Sequence, residues 1–249
     1  MRFGRLRQDV VIGVDGCPGG WVTAVWEPQE PSLTVEIVTR LIELIERAPG
    51  VAIGVDIPIG LTTSDPRTCD VAARQSLGPE RASSVFPAPC RGILRLGLDD
   101  AATSARSREL TDRSISQQVY HIIPKLAEVD DVFTPELQHR VVEIHPEVSF
   151  HVLARGRPMQ HRKRRLAGFV ERRDQLRRVV PPEAIPETRT ETQARVAASM
   201  RYGRGAGADD VLDAVVAAWS GYRFAADQAS RVPPHPEVDA CGPTMAIVV

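Results

Sequence analysis

The chain has 249 residues, 43% of them hydrophobic and 25% charged, and a formal net charge of −1. That composition supports a real core and excludes global disorder, while the near-zero charge excludes attraction of nucleic acid by a whole-molecule field. No stretch approaches the ~20 apolar residues of a membrane span, and no long apolar region follows Met1 to Asp9, so a soluble, cytoplasmic protein is expected. The length suits one domain over 1–249 with an insertion at about 61–140.

Val10 to Val14 is continuously apolar and rich in β-branched residues, which predicts a central strand covered on both faces. Gly16 to Gly20 reads as a turn, Trp21 to Trp26 as a second strand, and Ser32 to Thr39 as a third, together an antiparallel meander. Leu41, Ile42, Leu44, Ile45 and Ala48 share one helical face before Pro49-Gly50, and Val51 to Val55 returns as a buried strand. Strand, helix, strand in that order implies a parallel pair with a right-handed crossover.

The insertion is rich in Pro, Ser and Arg, with helices predicted near Pro66 to Leu77 and Ser116 to Val129. Val141 to Ile144 is the next predicted strand. Helices follow over Glu147 to Ala154, Arg162 to Val180, Glu191 to Met200, and Asp209 to about Ala226. In the second of these, Leu166, Phe169, Val170, Leu176 and Val180 form the inner stripe. A proline-rich tail finishes with a short strand over Met245 to Val249. The expected class is therefore α/β, a mixed five-stranded sheet in the RNase H-like layout, flanked by helices and carrying a mostly helical insertion after the fourth strand. In that layout strands one, four and five are parallel, so their ends gather at one sheet edge.

Five acids fall where such an edge would collect them. Asp15 and Asp56 each end an apolar strand, Glu143 lies inside the third such run, and Asp210 and Asp213 head the apolar stretch to Trp219. A carboxylate buried alone costs several kcal/mol, and a shared divalent cation, Mg2+ or Mn2+, is the simplest common partner. Two-metal sites use acids from different elements to hold cations ~3.5–4 Å apart. Asp213 is the only polar residue between Val211 and Trp219 and stands too far into its helix to cap it. For Asp209 and Asp210, capping and metal binding remain alternatives, as do turn formation and metal binding for Asp15 and Asp56.

Glu143, His145 and Glu147 alternate, which suits either proton transfer and ligation at the site edge or simply the start of a helix. Arg67, Arg74 and Lys125 are the insertion cations to place near a phosphate, against a role as surface or ion-pair residues. Between Arg155 and Arg178 stand ten Arg or Lys against Glu171 and Asp174, either a phosphate-tracking surface or a solvated helix face. Cys17, Cys69, Cys90 and Cys241 form no C-x-x-C pair, which argues against a zinc knuckle or a disulfide framework. Cys17 reads as a small turn residue, with no activating base beside it in sequence.

These residues resemble the "domain of unknown function 429" family, proteins predicted to be RNase H-like nucleases. The matching stretches are Gly13 to Trp21, Val55 to Leu61, Arg67 to Asp70 with Ala73-Arg74, Ser84 to Pro89, Glu143 to Phe150 and Asp209 to Ala214. The acidic helix also resembles the D-x-x-D-A element of RuvC-type resolvases, where such a pair binds magnesium. The family usually carries a Ser-Lys-Lys-Thr-like stretch before Gly168. Here it is Arg162-Lys163-Arg164-Arg165, so Lys163 is kept as a substrate-binding candidate while the hydroxyls become Arg.

The resemblance implies a metal-dependent nuclease or phosphodiesterase, with nucleic acid or a small phosphodiester as substrate. The alternatives are ATP-dependent phosphoryl transfer on a related fold, disfavoured because Gly16 to Gly20 contains no hydroxyl, and a non-catalytic scaffold.

Overall fold

The continuous apolar run Val11 to Val14 of the first strand requires cover on both sides, and the fold supplies it. The computed structural model describes residues 6–30, 32–199 and 205–249. Strands β1 (Val11–Cys17), β2 (Gly20–Glu27) and β3 (Ser32–Val38) form the antiparallel meander, and α1 (Leu41–Arg47) leads to β4 (Ala52–Asp56). With β5 (Val141–Glu143) they make a mixed sheet of order β3-β2-β1-β4-β5, in which β1, β4 and β5 are parallel neighbours.

Between β4 and β5 lie three helices, α2 (Thr68–Arg81), α3 (Asp100–Thr111) and α4 (Gln117–Val132). The remaining helices are α5 (Pro146–Leu153), α6 (Leu166–Leu176), α7 (Arg189–Ser199) and α8 (Ala208–Ala225). One sheet face packs Ile12, Val14, Ile53 and Val55 against α1 and α4. The other packs Val11, Val22 and Ala52 against α8, α5 and α6. Glu128 of α4 ties the first face together, accepting from the Leu41 amide at the start of α1 and from Trp21 Nε1 of β2.

Three elements differ from the sequence reading. The helix expected over 162–180 begins only at Leu166, which is 67% exposed rather than part of the inner stripe. Residues 162–165 form a turn, because Gly168 lets the Arg162 carbonyl press where a Cβ would otherwise stand. Asp100–Thr111 is helical although it has no apolar stripe to announce it, and Asp99 caps it by accepting from the Ala102 amide. The proline-rich tail is a hairpin, β6 (Arg231–Val238) with β7 (Thr244–Val248), packed on α2. Proline is tolerated there because β6 pairs along one side only. The expected end of the α7 helix at Met200 lies outside the described residues. Among the described residues, no helix is long and apolar enough to cross a membrane.

Candidate metal centre

Two strands that share a Gly-Val-Asp segment build the centre. β1 and β4 pair in parallel so that Gly13 stands beside Gly54 and Asp15 beside Asp56, all four toward α8. A Cβ on Gly13 would stand 1.9 Å from the Ala214 carbonyl oxygen, and one on Gly54 2.5 Å from that of Ala217. Glycine in both strands, met by alanine in the helix, therefore lets α8 lie directly on the sheet backbone. That approach carries Asp213, one turn before Ala217, to the ends of β1 and β4. Carboxylate oxygens of Asp15, Asp56 and Asp213 lie within 4.8 Å of one another.

Asp15 and Asp213 are buried and Asp56 is half-buried, so water compensates little of this charge. Burial, and then the Asp56 charge, hold the Asp15 carboxyl well above the usual carboxylate range. Burial, and then the Asp213 charge, push Asp56 up to about 8. Asp213 is raised by burial against the pull of Lys163. Lys163 Nζ stands 2.5 Å from Asp213 Oδ2 and also lowers the cost of charge on Asp15 and Asp56. Three oxygen donors on rigid elements fit a hard divalent cation such as Mg2+ or Mn2+. With Mg–O bonds of ~2.0–2.1 Å, donors on one ion stand up to ~4.2 Å apart, close to the spread seen here.

The other expected site residues fall around this group rather than in it. Asp210 lies outside the trio, and its Oδ2 accepts from the Gly207 amide at 2.8 Å, which caps α8. Glu143 pairs in register with Val55 rather than with Asp56, so it points to the opposite sheet face. There it accepts from the Ile59 amide at 2.7 Å and from Arg67, and burial lifts it to about 7 against the pull of that guanidinium. Arg67 is 1% exposed and also lies 3.4 Å from Asp70, so this second acidic group, with Cys69, already contains its own cation. Arg67 is therefore directed inward, away from any solvent-borne phosphate.

Arg74 donates to the Val85 carbonyl at 2.6 Å. Lys125 reaches back from α4 to donate to the Gly20 carbonyl, with its ammonium 4.4 Å from the Trp21 ring centre. The first bond lies within the insertion, and the second braces the insertion against β2. Glu147 accepts from Arg172, while the buried Nδ1 of His145 has no partner, and burial lowers the pKa of that imidazole. The charges of Glu147, Asp70 and Asp213 oppose that lowering, and Lys163 adds to it. Cys17 is buried at the end of β1, and burial raises its thiol pKa.

The approach of Lys163 depends on residues the sequence reading did not single out. Glu171 accepts from the amides of Gln160 and His161 at 2.7 and 2.9 Å. Arg172 donates to the His161 carbonyl at 3.0 Å, and Gly168 leaves room for Arg162. Their signal in the sequence was faint, one Glu and one Arg in a run of cations.

The profile of the family described as "Protein of unknown function (DUF429)" matches residues 13–238, from the strand before Asp15 to the end of β6. The chain belongs to the DUF429 family. No curated protein and no solved structure matches it. The DUF429 match spans every segment that supplies an acid to the trio.

Proposed function

We propose that this DUF429 protein is a divalent-cation-dependent phosphodiesterase, with Asp15, Asp56 and Asp213 as the ligands of Mg2+ or Mn2+. The observation that carries the reading is the meeting of three carboxylates from β1, β4 and α8 within 4.8 Å, where little water reaches them. Lys163 offsets one of the three charges, the remaining buried charge is costly without a further cation, and nothing in helix capping or turn formation explains Asp213. The strand order, with β1, β4 and β5 parallel, agrees with the RNase H-like layout expected from the sequence. A divalent ion held there supplies activation of water and neutralisation of phosphate charge.

The chain's own residues do the rest. Gly13 and Gly54 fix the spacing of the acids by fixing α8. Lys163, 37% exposed on its side chain, offers a positive charge beside Asp213 to an incoming phosphate. Arg162, Arg164 and Arg165, all exposed on the same turn, favour a polyanionic substrate over a small diester.

The test is cleavage of end-labelled single- and double-stranded DNA and RNA, beside a chromogenic phosphodiester, with Mn2+, Mg2+ or EDTA. Metal-dependent cleavage that vanishes in Asp15→Asn and Asp213→Asn, with both variants still folded, is the expected result. Absence of cleavage of every one of these diesters would overturn the assignment.

A further inference from the structure

Resting on that reading of the acids, we propose that the centre is built for one divalent ion, with the Lys163 ammonium as a fixed second cation. Three observations point this way. The trio offers ligands for a single ion: Asp210 lies outside it, with Oδ2 on the Gly207 amide, and Glu143 lies on Arg67 across the sheet. Among the described residues no further acid joins the trio. Lys163 Nζ then stands 2.5 Å from Asp213 Oδ2, so one oxygen of the trio already meets a cation.

The third observation is the construction of the turn that carries it. A lysine that merely met an acid by chance would extend from a loose loop. This one leaves a turn fastened to α6 at three consecutive residues. Glu171 takes the amides of Gln160 and His161, Arg172 holds the His161 carbonyl, and Gly168 admits the Arg162 carbonyl against the helix. Arg172 is itself 1% exposed and anchored on Glu147 of α5. The backbone leading into Lys163 is thus fixed, so only the rotamer freedom of the side chain itself opposes the ion pair. A positioned ammonium can neutralise phosphate charge in the manner of a second metal, without coordinating water.

Lys163 is therefore a positioning and charge-neutralising group. Its presence makes the trio less negative, so it opposes the first ion while standing in for a second.

The experiment measures Mn2+ binding to the full chain by calorimetry and electron paramagnetic resonance, in the parent, Lys163→Met and Lys163→Arg. The parent is expected to bind one Mn2+ without spin coupling to a second. Lys163→Met should bind Mn2+ about tenfold more tightly, because a unit charge a few ångströms away is gone, yet lose phosphodiester cleavage. Lys163→Arg should stay near the parent in affinity. A structural role alone would not raise metal affinity. Two spin-coupled Mn2+ in the parent, or unchanged affinity in Lys163→Met, would overturn the one-ion arrangement while leaving the phosphodiesterase reading standing. A parent that binds no Mn2+ would end both.

Discussion

Three carboxylates sharing one small volume make the metal-free centre an opponent of folding above acidic pH. Each is ionised without restraint in the unfolded chain at a pKa near 3.8–3.9. In the folded state burial and mutual repulsion raise Asp15, Asp56 and Asp213, Asp56 to about 8. A raised folded pKa means the folded state holds protons more tightly than the unfolded one. Stability from these groups is therefore fully present below about pH 4 and is lost as pH rises toward about 8. In EDTA, the melting temperature is predicted to fall across that window, and Mn2+ should restore most of the loss at pH 8. Asp56→Asn should melt higher than the parent in EDTA at pH 8 by at least ~2–4 °C, about 1 kcal/mol for a chain of this size. The same variant should gain nothing from Mn2+. Parent melting curves that do not change with pH or metal would mean the acids are compensated in some other way.

At the scale of elements, the decisive contact is α8 against bare backbone. Gly13 and Gly54 are buried on the helix side, where the α8 backbone comes directly against them and Ile144 also closes in on Gly54. Gly54→Ala would force a methyl toward the Ala217 carbonyl, at a cost of about 1–3 kcal/mol as α8 or the strand shifts. Because Asp213 rides on that helix, Mn2+ affinity should fall as well, measurable by titration on protein that still melts cooperatively. Gly50→Ala makes a useful control, since a Cβ there meets nothing and its backbone φ of +74° is the only strain. If Gly54→Ala keeps parent affinity, the close approach does not set the ligand spacing.

The strands, their order and the acidic helix were legible because apolar runs ending in Asp, and a helix apolar on every side, carry strong signals. What stayed hidden depended on partners remote in sequence. Glu143 sits in an apolar run as Asp15 and Asp56 do, but a one-residue offset in register, invisible in sequence, sends it to Arg67 instead. Lys163 was legible only by resemblance, since its anchoring by Glu171, Arg172 and Gly168 exists only in three dimensions. Asp100–Thr111 and Arg231–Val238 were missed for a simpler reason: one lacks an apolar stripe and the other is crowded with proline.

For the whole molecule, a net charge of −1 leaves local charge to decide whether a polyanion binds. The basic stretch from Arg155 to Arg178 does not act as one surface. Arg172 is consumed by Glu147, while Arg173 and Arg177 meet Glu187, with Asp174 also on Arg173. Arg162, Arg164 and Arg165 remain exposed on the turn beside Lys163, with Arg164 3.7 Å from Asp209 at the head of α8. A nucleic acid strand reaching the trio would cross this turn. Each phosphate it neutralises releases counterions at ~0.7–0.9 per contact, so binding should weaken steeply with salt. Aromatic residues are absent from the turn, so stacking should add little and sequence preference should be slight. Replacing all three arginines with Ser is predicted to lower the slope of log affinity against log salt by about 2–3. Mn2+ binding at Asp15, Asp56 and Asp213 should survive, because Arg162 contributes its carbonyl, not its side chain, to the packing on Gly168. If the triple variant keeps the parent's slope, polyanions bind elsewhere on the molecule, and the turn serves only to carry Lys163.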